Sequence, residues 1–262
     1  MPESELDKLA LSLLARVGLS SRPPSTLVPL ARSLGADCVV WGDLGTMPQD
    51  GLLETVDDRI LIRIRRDQYR TRQRFTLAHE IGHLVLAQPD FYLAAMRRRN
   101  GLVNDERFCD ALAAALLMPA GWIEDRYTES PRNFTTLSDC SHETETSWPA
   151  SLLRFRTLLG WTSSLLHWRR KDRVWRLVGM TGVPQKVRFR LSTPETTQRL
   201  LSDLEPGRSC RPEMPLGTSA GLLGVSVEVR VQRASVVGLV NLADRSALPP
   251  GLAPVQAIGS GR

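Results

Sequence analysis

Hydrophobic residues recur along this chain with two different periods. Leu6, Leu9, Ala10, Leu13, Leu14 and Val17 follow helical spacing, and Gly18 marks the predicted end of that helix. A second short helix is expected to run to Leu34, with Pro29 in its first turn and Gly35 just beyond it. Residues 38–41 then read as a strand, and residues 51–56 and 59–65 as a hairpin turning at Asp57 and Asp58. Ile60, Ile62 and Ile64 alternate with Leu61, Arg63 and Arg65, so one face of that strand is predicted to be buried. The helical period returns in Phe75, Leu77, Ala78, Ile81, Leu84, Val85 and Ala87, a run that Pro89 stops.

After a basic connection at 96–100, a further helix is expected from about 104 to 118. Asn104 is its candidate N-cap, and Asp105 and Glu106 lie in the first turn, where the helix dipole favours them. Residues 121–125 predict a short turn. The stretch 126–147, rich in Ser, Thr, Asp and Glu, predicts a linker or exposed loop. Helices are expected again over 150–159 and 163–170, separated by Gly160, Trp161 and Thr162. From about Val174 the pattern becomes strand-like. Val225, Val227, Val229 and Val231 alternate with polar residues, and 235–240 reads as a buried strand. The tail from Pro249 is expected to be mobile.

The most informative chemistry lies inside the apolar helix, where His79-Glu80-Ile81-Gly82-His83 forms the H-E-x-x-H pattern. Residues four apart on a helix lie on one face, so both imidazoles can converge on one metal ion. Glu80 is offset around the helix, where it can serve as a general base without being a ligand. One histidine on an apolar helix is ordinarily a core residue, but only four occur in the chain and two fall at this spacing. A catalytic site needs a third protein ligand and an open position. A three-histidine arrangement is excluded by Leu86 and Pro89, so a carboxylate from the next helix is expected. Glu106 and Asp110, one turn apart on one face, are the candidates, with Asp105 less well placed. His142 and His167 are read as non-ligands.

Composition adds little to this. The chain has 262 residues and a net charge of +6, carried almost wholly by arginine. The N-terminus lacks the layout of a signal peptide, and the strongly apolar run at 111–118 is too short to span a membrane. Cys38, Cys109, Cys140 and Cys210 are scattered without a C-x-x-C pair, so a reducing cytoplasm is expected.

Residues 74–83, R-F-T-L-A-H-E-I-G-H, followed by D-A-L-A-A-A-L-L-M-P at 110–119, resemble the ImmA/IrrE family of metallopeptidases. The second motif departs from the family's approximate E-A-D-x-F-A-A-x-L-L-M-P at Phe108, Cys109 and Leu112. Aligned on Leu116 to Pro119, the family's acidic position falls on Asp110. The resemblance thus prefers His79, His83 and Asp110 as metal ligands, with Glu106 the alternative, and Glu80 as catalytic base. It implies a small gluzincin-like domain, bound Zn²⁺ (Mn²⁺ or Fe²⁺ also suit such a donor set) and a helix-turn-helix repressor cleaved after DNA damage. It further implies a GAF-like sensor domain at the C-terminus. The expected fold is α+β: a zincin-like peptidase domain with a three-stranded sheet over 1–125, a helical middle over 126–175, and a β-rich, GAF-like domain over 176–262.

The middle segment, 152–170, has the length and glycine-containing turn of a helix-turn-helix, with Thr162 as cap and basic surroundings. Arg156 stands where such motifs need a small residue, and Trp161, Leu165, Leu166 and Trp168 would crowd the recognition helix. The segment therefore reads first as a helical pair bridging two domains or docking the repressor, and second as a direct DNA contact. The competing function is a DNA-binding transcriptional regulator whose metal is structural.

Overall fold

A computed structural model of the chain describes residues 3–19, 22–43, 45, 49–88, 105–183, 193–205, 209–210, 213–218, 221–232 and 235–241. Asn104, the basic connection at 96–100 and the C-terminal tail lie outside the described residues. The chain forms two compact units, one comprising 1–130 and 136–154, the other 131–135 and 155–262.

In the first unit the N-terminal helices follow their apolar periodicity. Helix α1 (Glu3–Arg16) buries Leu6, Ala10, Leu13 and Leu14, and α2 (Val28–Ser33) carries Pro29 in its first turn. Both are followed by a glycine with positive φ, Gly18 at 70° and Gly35 at 104°. A three-stranded sheet comes next, from β1 (Cys38–Gly42), β2 (Gly51–Val56) and β3 (Arg59–Arg65). Its order is β1-β3-β2, with β1 parallel and β2 antiparallel to β3. Asp57 and Asp58 take positive φ values of 49° and 58°, the two-residue turn that fits the twist of a hairpin. Ile62 and Ile64 are fully buried, as the alternation predicts.

Helix α3 (Arg70–Ala87) begins one turn before the apolar run and packs closely on α4 (Asp105–Leu117). Their shared core includes Leu77, Ala78, Ile81, Phe108, Leu112 and Leu116. Arg74, at the head of the motif, donates to the carbonyls of Ser25 and Pro24, each at 2.6 Å, and so ties α3 to the segment before α2.

The polar stretch after α5 (Ala120–Tyr127) is not a loop. It contains α6 (Phe134–Thr144), which leads into α7 (Trp148–Leu159). Only Phe134, Leu137 and Cys140 give α6 an apolar stripe, but they are spaced three apart and fully buried. The remaining buried positions are hydroxylated: Thr144 donates to the Cys140 carbonyl, and Thr146 bonds with both Thr144 and Ser151. Composition conceals a helix of this kind.

The second unit is β-rich. Strands β4 (Ser163–Lys171), β5 (Val174–Thr181), β6 (Ser209–Cys210), β7 (Glu213–Thr218), β8 (Gly221–Gln232) and β9 (Ser235–Asn241) make a sheet of order β5-β4-β9-β8-β6, with β7 also paired to β8. Residues 163–170 are therefore a strand, and the helix-turn-helix expected over 152–170 is corrected. The reason is tertiary: β4 is interior to the sheet, pairing with β5 on one side and β9 on the other. Leu165, Leu166 and Trp168 are buried on its two faces. The residues that would crowd a recognition helix suit a doubly covered strand. Trp168, Trp175, Val227, Val229, Val236 and Val240 form the core together with Leu201 of a short helix, α8 (Glu195–Ser202), which the sequence pattern did not reveal.

Candidate metal centre

The H-E-x-x-H segment occupies the middle of α3, whose apolar periodicity buries Leu77, Ala78, Ile81, Leu84 and Val85. His79 and His83, one turn apart, remain at the edge of this buried face, their ring centroids separated by 5.0 Å. Helix α4 presents both candidate carboxylates to them. Glu106 Oε2 lies 3.3 Å from His79 Nε2, and Glu106 Oε1 lies 3.6 Å from His83 Nε2. Asp110 instead faces the other side of the first imidazole, with Oδ1 2.9 Å from His79 Nδ1. An ionised aspartate only accepts, so His79 Nδ1–H donates to Asp110 and leaves the Nε2 lone pair free.

The close approach of the two helices depends on Gly82. A Cβ built there would stand 2.8 Å from Cys109 Cα and 2.9 Å from Cys109 Sγ, well inside contact distance. Cys109 is fully buried, and its Sγ belongs to a group with His79 and His83 whose potential ligand atoms lie within 4.8 Å of one another. Burial, with Glu106 and Asp105 adding negative potential, pushes its thiol up to about 12. Cys109 was not legible as a candidate donor from the sequence pattern. Its signal was its place on the second motif, between Glu106 and Asp110.

Glu80, next in sequence to His79, is itself buried and interacts electrostatically with it. It faces the start of β2, where a Cβ on Gly51 would lie 2.6 Å from Glu80 Oε1. Only a glycine admits the carboxylate that close, and this contact was not foreseen from the sequence. Burial holds the Glu80 carboxyl above the usual carboxylate range, an effect that positive charge on His79 opposes and Glu106 reinforces. Burial also lowers the pKa of His83, with the neighbouring His79 acting in the same direction, so His83 stays neutral and able to ligate at lower pH than a free imidazole. His142 and His167 lie on α6 and β4 and do not enter the His79–His83–Cys109 group.

Two imidazole nitrogens and one carboxylate suit a divalent cation of the zinc, manganese or iron type. Donors about 2.0 Å from a tetrahedral ion lie about 3.3 Å apart, close to the 3.3 and 3.6 Å between Glu106 and the two Nε2 atoms. The donor set fits such an ion.

A helix bearing two histidines four residues apart and a buried glutamate, with a carboxylate-bearing helix packed against it, is an arrangement suited to a metallopeptidase domain. Residues 39–138 match the family model described as the IrrE N-terminal-like domain, so this part of the chain is similar to that family. The radiation response metalloprotease IrrE of Deinococcus deserti is 36% identical over 87 residues, a match covering 31% of this chain and 30% of that protein. The alignment thus spans less than a third of the relative's length. Among solved structures, a transcriptional regulator of Mycobacterium tuberculosis superposes with a TM-score of 0.55 at 14% identity, over 96% of this chain and 80% of that one. At that identity the likeness is one of fold. No described helix is long and apolar enough to cross a membrane.

Proposed function

We propose that the chain is a metal-dependent endopeptidase that cleaves a helix-turn-helix transcriptional repressor in a DNA-damage response, with Zn²⁺ its first-choice metal and Mn²⁺ or Fe²⁺ the alternatives. The observation that supports this reading is Glu80, a buried carboxylate next in sequence to His79 that forms no ion pair among the described residues. A purely structural metal would need His79 and His83 but no such base. We assign the ligands as His79 Nε2, His83 Nε2 and Glu106. Asp110, the carboxylate preferred from the motif alignment, becomes the residue that orients His79, because it faces Nδ1 and not Nε2.

When bound, the cation supplies Lewis acidity toward the scissile carbonyl and the attacking water. The protein's part is played chiefly by Glu80, which takes a proton from that water and later delivers it to the departing amine. Burial raises its pKa above the usual carboxylate range, the direction that favours accepting a proton. Strand β2 supports substrate binding. It pairs with β3 alone among the described residues, so its outer edge can hydrogen-bond an extended peptide, and Gly51 brings that edge against Glu80. The β-rich second unit would be the sensor, GAF-like in the family's manner.

The test is incubation with candidate helix-turn-helix repressors, with and without metal, comparing the wild type with Glu80→Gln. The variant should keep its fold and its metal and lose cleavage. Cleavage surviving in Glu80→Gln would refute the mechanism. A stress response that persists without cleavage would favour the DNA-binding regulator with a structural metal.

A further inference from the structure

From the hairpin of β4 and β5 we infer a second activity, independent of the peptidase site: its tip is a phosphate-binding ribbon for duplex DNA. Residues 169–176 contain five cations, Arg169, Arg170, Lys171, Arg173 and Arg176, and a single acid, Asp172. All six are exposed, and among the described residues none of the five cations pairs with a carboxylate. The register makes this more than a solvated charge run. Arg169 stands directly opposite Arg176, and like charges facing each other across a ladder destabilise it. A polyanion bound over that face supplies a counter-charge that the described residues do not provide there.

The tip is also built to stay rigid. Asp172 and Arg173 take positive φ values of 50° and 64°, a tight two-residue turn. Among the described residues, pairing of β4 with β9 runs no further than Arg169, so the last two rungs, Arg170–Trp175 and Lys171–Val174, are paired to each other alone. The Trp175 backbone is clamped from outside by Gln198, which accepts from its N–H at 2.7 Å and donates to its carbonyl at 2.6 Å. That clamp occupies the outer edge of β5 at this rung, so the ribbon is not open to strand addition there. Its exposed chemistry is charge.

The composition selects among polyanions. Four of the five cations are arginines, which grip phosphate bidentately. Trp175 is buried, so the tip exposes no aromatic ring on which unpaired bases could stack, which disfavours single strands. Val174 is its only exposed apolar side chain, too little to anchor in a bilayer. A two-stranded ribbon enters the major groove of B-form DNA, whereas the deep, narrow groove of duplex RNA excludes it.

The experiment is fluorescence anisotropy of the full chain with a labelled duplex DNA of about 20 base pairs across a salt series. Four or five phosphate contacts give a slope of log affinity on log salt of about −4, and Arg169→Gln/Arg173→Gln/Arg176→Gln should bring it to about −1. Asp172→Asn keeps a residue that tolerates the turn and removes the one acid, so affinity should rise at least about twofold. Glu80→Gln should bind DNA as the wild type does, which separates this inference from the peptidase reading. Absence of binding at low salt would overturn the inference, as would a triple variant that binds equally well or Asp172→Asn without effect. Tighter binding to duplex RNA, to single strands or to anionic phospholipid vesicles would overturn it too.

Discussion

Glu106 and Asp110 show what one turn of helix can decide. Both lie on the face of α4 turned toward His79, yet one meets Nε2 and the other Nδ1. From spacing alone these two roles cannot be told apart, because residues four apart share a face and only the approach of α3 fixes which ring nitrogen each one reaches. The assignment has a direct consequence. Asp110→Asn should weaken metal binding by about 10- to 100-fold, as loss of an orienting partner does. Glu106→Ala should weaken it further, measured by competition with a chelating dye. The reverse order would make Asp110 the ligand. A second residue gives a pH signature in the other unit. Burial lowers the His167 pKa below its usual 6.5, and its Nε2 has no hydrogen-bond partner among the described residues. Between the lowered and the usual value the unfolded chain binds the extra proton, so this contribution to stability is complete above about pH 6.5 and is lost as pH falls below it. His167→Gln should flatten that acid slope in denaturant midpoints of the second unit.

At the scale of elements, Gly82 sets how near α4 comes to α3. Gly82→Ala drives a methyl into the Cys109 backbone, so the helices must separate or shift. Overpacking of this kind costs about 1–3 kcal/mol, and because Glu106 sits one turn from Cys109, metal affinity should fall with it. A variant as stable as the wild type, with unchanged metal affinity, would contradict that coupling. The same helices and the Asp57–Asp58 hairpin were legible from the sequence because their signals are local: apolar period, turn residues, terminal glycines. Besides the short α8, two elements were not. Helix α6 hides because threonine and serine occupy its buried positions, and these look like loop residues until their hydroxyls are seen to bond one another. Strand β4 was read as a helix because Leu165, Leu166 and Trp168 suit either conformation. The choice is made by β5 and by β9, the latter more than sixty residues away in sequence. Glu80 was legible as a candidate base, but its glycine neighbour on β2 was not, since that contact joins two elements of different type.

For the molecule as a whole, every proposed donor lies in the first unit, on α3 and α4. A bound ion links the two helices and stabilises only the folded form of that unit, by about 2.7 kcal/mol when free metal stands at a hundred times its dissociation constant. Chelation should therefore lower the unfolding temperature of the first unit and leave the β-rich unit's transition in place. A calorimetric scan that shifts both equally would show that the ion's influence is not confined to its own unit.

On the proposed peptidase reading, the edge of β2 left unpaired among the described residues would govern which proteins can be cut. A strand edge recognises backbone amides, which every peptide has, and it does so only when the peptide is extended. A repressor segment folded as a helix keeps those amides for itself. What is selected is then less a side-chain code than the free energy a target must spend to open locally. Two substrates with the same residues at the cut site should differ in rate by the ratio of their local opening equilibria, and proline or glycine substitutions that melt the target helix should speed cleavage without touching the enzyme.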